Sequence, residues 1–182
     1  TANPALMPVM RQRIDRYAQD RAIGLCVGAV SVVDEDARLA RDVARRAVAM
    51  YLPVVADLDP TFEFDPDELA RIKAGIDHGD VVAAAHAVSD ATLGRFAFAG
   101  SPADLVRHIE ALADAGATRV ELGTPHGVDE PAALRLLARL KPLRGTWADP
   151  FRHSADRKLE RDLLALYEAD LARADRVTPD TL

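Results

Sequence analysis

The segment Thr118-Arg-Val-Glu-Leu-Gly-Thr-Pro-His-Gly127 constrains this chain most: a short β-branched run enters a glycine-flanked loop, with an amphipathic helix predicted on either side. Upstream, Ser101 reads as an N-cap, Pro102 as the first helical residue and Asp104 as the carboxylate that reaches back to the cap. Leu105, Val106, Ile109, Leu112 and Ala113 then fall on one apolar stripe that has to lie on something, and Gly116 supplies a left-handed stop. Beyond the loop, Asp129 is placed to cap a helix that carries Leu134, Leu137 and Leu140 on one face. Helix, strand, loop, helix is the repeating unit of a parallel α/β sheet.

In such sheets ligands sit where strands end, so the loop Gly123, Thr124, Pro125, His126, Gly127 is the first candidate site. Its glycines let a backbone approach closely and Pro125 stiffens the turn, while His126 is the one titratable side chain inside it. The alternative is a tight turn whose glycines only meet unusual dihedrals.

Composition narrows the class. With 49% apolar residues among 182, the chain can fill a core, and a net charge of -6 argues against nucleic acid or an anionic membrane as partner. No run is long and apolar enough to span a bilayer and no signal-peptide pattern opens the chain, so a cytoplasmic protein is expected. Cys26 is the only cysteine and lies in an apolar run; this removes a disulfide framework and a cysteine metal site, and predicts a buried, inert thiol. Thr1 leads straight into the helix-start pair Asn3-Pro4, which reads as a chain cut from something longer.

The first predicted helix carries Leu6, Val9, Met10, Ile14 and Tyr17 on one side. Gly24 to Val33 is a nearly continuous apolar run, the pattern of a strand covered on both faces. Asp34-Glu35-Asp36 then starts the longest helix, with Ala40, Val43, Ala44, Ala47, Val48 and Tyr51 inward and a solvated face of arginines interleaved with acids. Pro53 and Pro60 bracket its end. Asp65-Pro66, Gly79-Asp80 and Ser89-Asp90 each start a short helix, so about 53–95 reads as an insertion packed over one end of the sheet. His78 and His86 lie on either side of a helix break and His108 on a polar helix face; none has metal-ligand spacing, and all three read as surface or rim residues. Arg95 to Gly100 is a short extended lead into Ser101. After Gly145, Trp147, Pro150 and Phe151 form a connector, and Ser154 starts a last amphipathic helix with Leu159, Leu163, Leu166, Tyr167 and Leu171. No nucleotide-binding, nucleophile-elbow or zinc motif occurs, and the catalytic residues stay unknown.

Four places carry a resemblance: Asn3-Pro4 with its helix; Val27 to Asp34 with the following helix to Tyr51-Leu-Pro53; Phe96-Ala-Phe-Ala-Gly-Ser-Pro102; and Gly116 to Gly127 with Leu140 to Gly145. In this order the chain resembles the C-terminal part of the bacterial-luciferase-like oxidoreductases, in particular the methylenetetrahydromethanopterin reductase branch. The resemblance implies an α/β chain that is the closing portion of a (β/α)8 barrel, with two parallel strands in residues 1–145 and an additional C-terminal helix in 146–182. A complete barrel needs about 250 residues, so the earlier strands would lie outside this chain. It further implies hydride transfer between the deazaflavin coenzyme F-420 and a small organic substrate, or FMN-dependent monooxygenation as the alternative, with a chain inactive alone. Residues 123–127, and Ser31 at the top of the other strand, would face the cofactor; the loop N–H groups and the Thr124 hydroxyl would meet a polar edge or a phosphate. Expected partners are the missing barrel portion or further copies of the chain. A different class is a non-catalytic helical module that binds a protein through its last helix.

Overall fold

A computed structural model describes residues 1–19, 21–138 and 140, which belong to one unit, Thr1–Leu143. The predicted C-terminal helix from Ser154 lies outside the described residues. Three strands, β1 (Cys26–Val33), β2 (Ala97–Gly100) and β3 (Arg119–Gly123), form one parallel sheet in the order β2-β1-β3. The sequence predicted two. Ala97–Gly100 is too short to show a strand period, and only its non-local pairing with Val30–Val33 makes it a strand.

Seven helices surround the sheet among the described residues: α1 (Leu6–Ala18), α2 (Ala37–Val55), α3 (Pro66–Asp77), α4 (Val81–Ala87), α5 (Asp90–Phe96), α6 (Pro102–Asp114) and α7 (Glu130–Leu137). Asp36, Asp65, Asp80, Ser89, Ser101 and Asp129 cap six of them, with a full capping box at Ser101 and Asp104. Gly116, at φ 106, is the left-handed stop after α6. Pro53 does not end α2, which continues to Val55; a proline in the last turn removes a single internal hydrogen bond.

Right-handed crossovers explain the layers. β1 to β2 moves one way across the sheet and β2 to β3 the other, so the intervening helices fall on opposite faces. Val30, Val32, Ala97 and Ala99 pack against α2 to α5, whereas Val27, Val33, Phe98, Val120 and Leu122 pack against α1, α6 and α7. α3 and α4 stack on α2 and on each other, and α5 contacts both α2 and β2. Double coverage reaches only the C-terminal half of β1. Cys26, Gly28, Arg119 and Glu121 share an exposed stretch of sheet, so Cys26 is an exposed thiol, contrary to the expected buried one. Tyr17, predicted inward, is 79% exposed, because α1 is anchored through Leu6, Met7 and Ala18 instead.

Candidate functional site

β1 and β3 are parallel neighbours, with Cys26 opposite Arg119 and Val30 opposite Gly123. Past Gly123 the chain does not leave the sheet: the Val33 N–H donates to the His126 carbonyl at 2.9 Å, so the loop lies along the C-terminal end of β1. On the other edge the Asp34 N–H donates to the Gly100 carbonyl. The ends of all three strands therefore converge on one rim.

At that rim the glycines serve the chain itself. A Cβ at Gly123 would stand 2.9 Å from the Ala29 carbonyl oxygen, and one at Gly127 would stand 2.8 Å from the Ala133 Cβ. The Thr124–Pro125 peptide is cis. His126 is not solvent-facing: its side chain is 13% exposed, with Nδ1 3.3 Å from the Ser31 carbonyl and Nε2 3.9 Å from the Glu130 carboxylate. The His126 N–H donates to Glu130 at 3.2 Å. Ser31 is fully buried and its hydroxyl donates to the Ala29 carbonyl, which leaves it no surface to offer a ligand. Thr124 is the exposed polar side chain of the loop. Asp34, Glu35, Asp36, Asp129 and Glu130 surround these groups in sequence, and the one loop N–H seen donating to a side chain is engaged by a carboxylate. An uncharged polar edge fits here, whereas a phosphate meets negative charge.

Sequence reasoning missed a buried polar cluster that anchors the N-terminal segment. Asn3 donates to Asp59 at 2.7 Å and to Thr61 at 2.9 Å and accepts from Arg95 at 2.6 Å, while Thr61 donates to Asp59 from both its N–H and its hydroxyl. Burial alone would push the Asp59 carboxyl up, but hydrogen bonds from Thr61, Asn3 and Thr1 outweigh it and hold the carboxyl below its ordinary value. His108, expected on a polar surface, is half-buried: Nε2 donates to the Ala2 carbonyl at 2.6 Å and the ring stands edge-on to Phe98 at 4.9 Å. Burial lowers its pKa, the Ala2 bond opposes this, and the Arg95 charge lowers it further. The signal for the cluster was Asn3 ahead of Pro4, which reads equally well as a simple helix start. His78 and His86 line one groove between α3 and α4, and among the described residues no group of His, Cys, Asp and Glu is arranged to hold a metal ion. No described helix is long and apolar enough to cross a membrane.

The family model DUF6537, described as a family of unknown function, matches residues 33–182. The chain belongs to the DUF6537 family. The match runs through residues 146–182, for which the luciferase-like resemblance has no counterpart. The DUF6537 chain is also a distant homologue of the luciferase-like reductases: it is 30% identical over 115 residues to the 5,10-methylenetetrahydromethanopterin reductase of Archaeoglobus fulgidus, over 59% of this chain and 34% of that protein. The structure of the coenzyme F-420 dependent tetrahydromethanopterin reductase from Methanopyrus kandleri matches with a TM-score of 0.68 at 26% identity, over 76% of this chain and 42% of that one. The chain thus spans about a third of the length of the curated relative it matches.

Proposed function

We propose that this chain is the C-terminal portion of a luciferase-like (β/α)8 oxidoreductase that moves a hydride between coenzyme F-420 and a small organic substrate. The observation that carries the reading is the parallel β1–β3 pair ending at a shared rim, within a fold that matches part of an F-420 dependent reductase. The deazaflavin, when bound, supplies the hydride-accepting and hydride-donating carbon. This chain's part is positional. The Thr124 hydroxyl and main-chain groups of 124–127 other than those of His126, which the chain itself engages, meet an uncharged edge, and His126, wedged between Ser31 and Glu130, holds the loop against β1. Phosphates belong to residues outside the chain, since the acidic rim disfavours them.

The test is a fluorescence titration of deazaflavin into the full chain alone and into the chain co-expressed with the N-terminal portion of the Archaeoglobus reductase. Weak binding alone, saturable binding in the complex and a severalfold loss with Thr124→Val are expected. Tight binding by the chain alone, or none by a formed complex, overturns the reading. Oxygen uptake with reduced FMN and no reaction with deazaflavin would move it to the monooxygenases.

A further inference from the structure

Helices α3 and α4 meet in a hairpin that carries a groove of about 650 Å³. On α3, Arg71, Ala74, Gly75 and His78 recur at i, i+3, i+4 and i+7 and so share one face. On α4, Ala83, His86 and Ala87 repeat the i, i+3, i+4 spacing, and Asp80 stands in the turn between the helices. Each of these residues lines the groove. The helices touch at Gly75, where an added Cβ would stand 2.7 Å from the Ala84 nitrogen, and the short alanine side chains beside this contact leave an apolar floor. Arg71 lies four residues before the contact on α3 and His86 two residues after it on α4, so both stand at the end away from the turn. His78 and Asp80 stand at the turn itself, about 10 Å of helix from Arg71.

The two ends of the groove offer opposite chemistry. At the far end Arg71 and His86, both exposed, have no hydrogen-bond or ion-pair partner among the described residues. A guanidinium there presents paired N–H donors, the geometry that takes two oxygens of a phosphate, and the imidazole adds a further donor. At the turn the groups accept instead. His78 Nδ1 donates to the Ala74 carbonyl at 2.7 Å, which leaves Nε2 with its lone pair. One oxygen of Asp80 accepts the Ala83 N–H at 2.9 Å, and the other is left to the groove. A carboxylate at this end repels a phosphate and accepts from a hydroxyl. The groove is therefore polarised, with donors at one end, acceptors at the other and a methyl-lined floor between.

We propose that this groove binds a sugar phosphate. The phosphate lies on Arg71 and His86, the C–H face of the sugar covers the floor at Ala74, Gly75 and Ala83, and its hydroxyls donate to His78 Nε2 and to Asp80. Asp80 sets the direction, because a ligand turned end for end would bring its phosphate against the carboxylate. The site shares no residue with the rim at the strand ends, and it takes a second ligand rather than the deazaflavin. It stands or falls independently of the oxidoreductase reading.

Nuclear magnetic resonance of the imidazole rings in the full chain tests it, with glucose-6-phosphate as the probe and inorganic phosphate and glucose as comparisons. Glucose-6-phosphate should shift the His78 and His86 ring signals saturably and bind severalfold more tightly than inorganic phosphate, while glucose at the same concentrations shifts neither ring. Arg71→Gln should weaken glucose-6-phosphate about tenfold or more, the loss expected for hydrogen bonds to a charged group. Lys73→Gln removes a charge from the same helix outside the groove and should leave the affinity unchanged. His78→Ala should lower glucose-6-phosphate affinity to that of inorganic phosphate, since only the sugar end is lost. Arg71, Lys73 and His78 are all exposed, and circular dichroism of each variant confirms that the fold is kept. No ring shift with glucose-6-phosphate, equal affinity for it and inorganic phosphate in the parent chain, or equal losses from Arg71→Gln and Lys73→Gln each overturns the proposal.

Discussion

Replacing Gly123 by alanine separates two uses of a glycine at the rim, room for a ligand and room for a neighbouring strand. The added Cβ would stand 2.9 Å from the Ala29 carbonyl oxygen and 3.3 Å from its carbon. Those atoms belong to the backbone of the central strand, which is paired on both sides and packed between helix layers, so relief requires moving the sheet. Overpacking of this kind costs about 1–3 kcal/mol, offset by about 0.4–1 kcal/mol from the stiffer unfolded chain. For a chain of this size the melting temperature should fall by roughly 2–8 °C. Gly94→Ala is the control: it lies in α5 with nothing within 4 Å of its added Cβ and should be neutral or stabilising by about 0.5–1 kcal/mol. Thermal melts followed by circular dichroism compare the two variants without any ligand. If Gly123→Ala melts with Gly94→Ala, the strand contact is not what requires glycine there, and the loop's glycine goes back to making room for a ligand.

Other consequences concern the polar anchors, pH and the thiol. Asp59→Ala removes the acceptor shared by the buried Asn3 amide and the exposed Thr61 and should cost about 1–3 kcal/mol in denaturant unfolding, with Asp59→Asn costing less. Lowering the pH should remove stability in two stages. His108 has a depressed folded pKa, so below its ordinary 6.5 the unfolded chain takes up the proton first and stability falls as the pH drops; His108→Phe removes this stage. Asp59 and Asp104 also have depressed folded values, so their contributions are present above the ordinary 3.8 and are lost as pH falls below it. Unfolding curves at several pH values between 8 and 3 check both stages. Cys26 should react with a thiol reagent in the folded chain at close to its rate in the denatured chain; protection by orders of magnitude would place it in a core. In the oxidoreductase proposed above, Gly123→Val should weaken deazaflavin binding more than His126→Ala, because it displaces the loop from β1.

Elements with local signatures were legible in the sequence. Each predicted N-cap from Asp36 to Asp129 holds its helix, because a capping side chain needs only the three residues after it. The β1 and β3 runs were legible from their apolar, β-branched content. What failed depended on distant partners. β2 is a strand only because Val30–Val33 offers it an edge, and Cys26 is bare only because α2 leaves the lower half of β1 uncovered. At the rim, the loop's position was legible and the use of its glycines was not. No spacing rule says that Ala29 and Ala133 fill the space beside Gly123 and Gly127, or that Ser31 turns its hydroxyl to its own strand. The Asn3–Asp59–Thr61–Arg95 cluster joins segments up to 92 residues apart, a separation at which sequence patterns carry no contact information.

The placement of β1 beside β3, parallel and in this register, underlies both the shared rim and the relation to the luciferase-like reductases. A single substitution reads it directly. Cys26 faces Arg119 across the pair, both exposed on one face, at the roughly 4.8 Å spacing of neighbouring strands that a disulfide can bridge. Under mild oxidation Arg119→Cys should close an intrachain disulfide with Cys26, while Glu121→Cys, displaced to about 8 Å, should stay reduced. Equal crosslinking of the two variants, or none in either, would contradict the account.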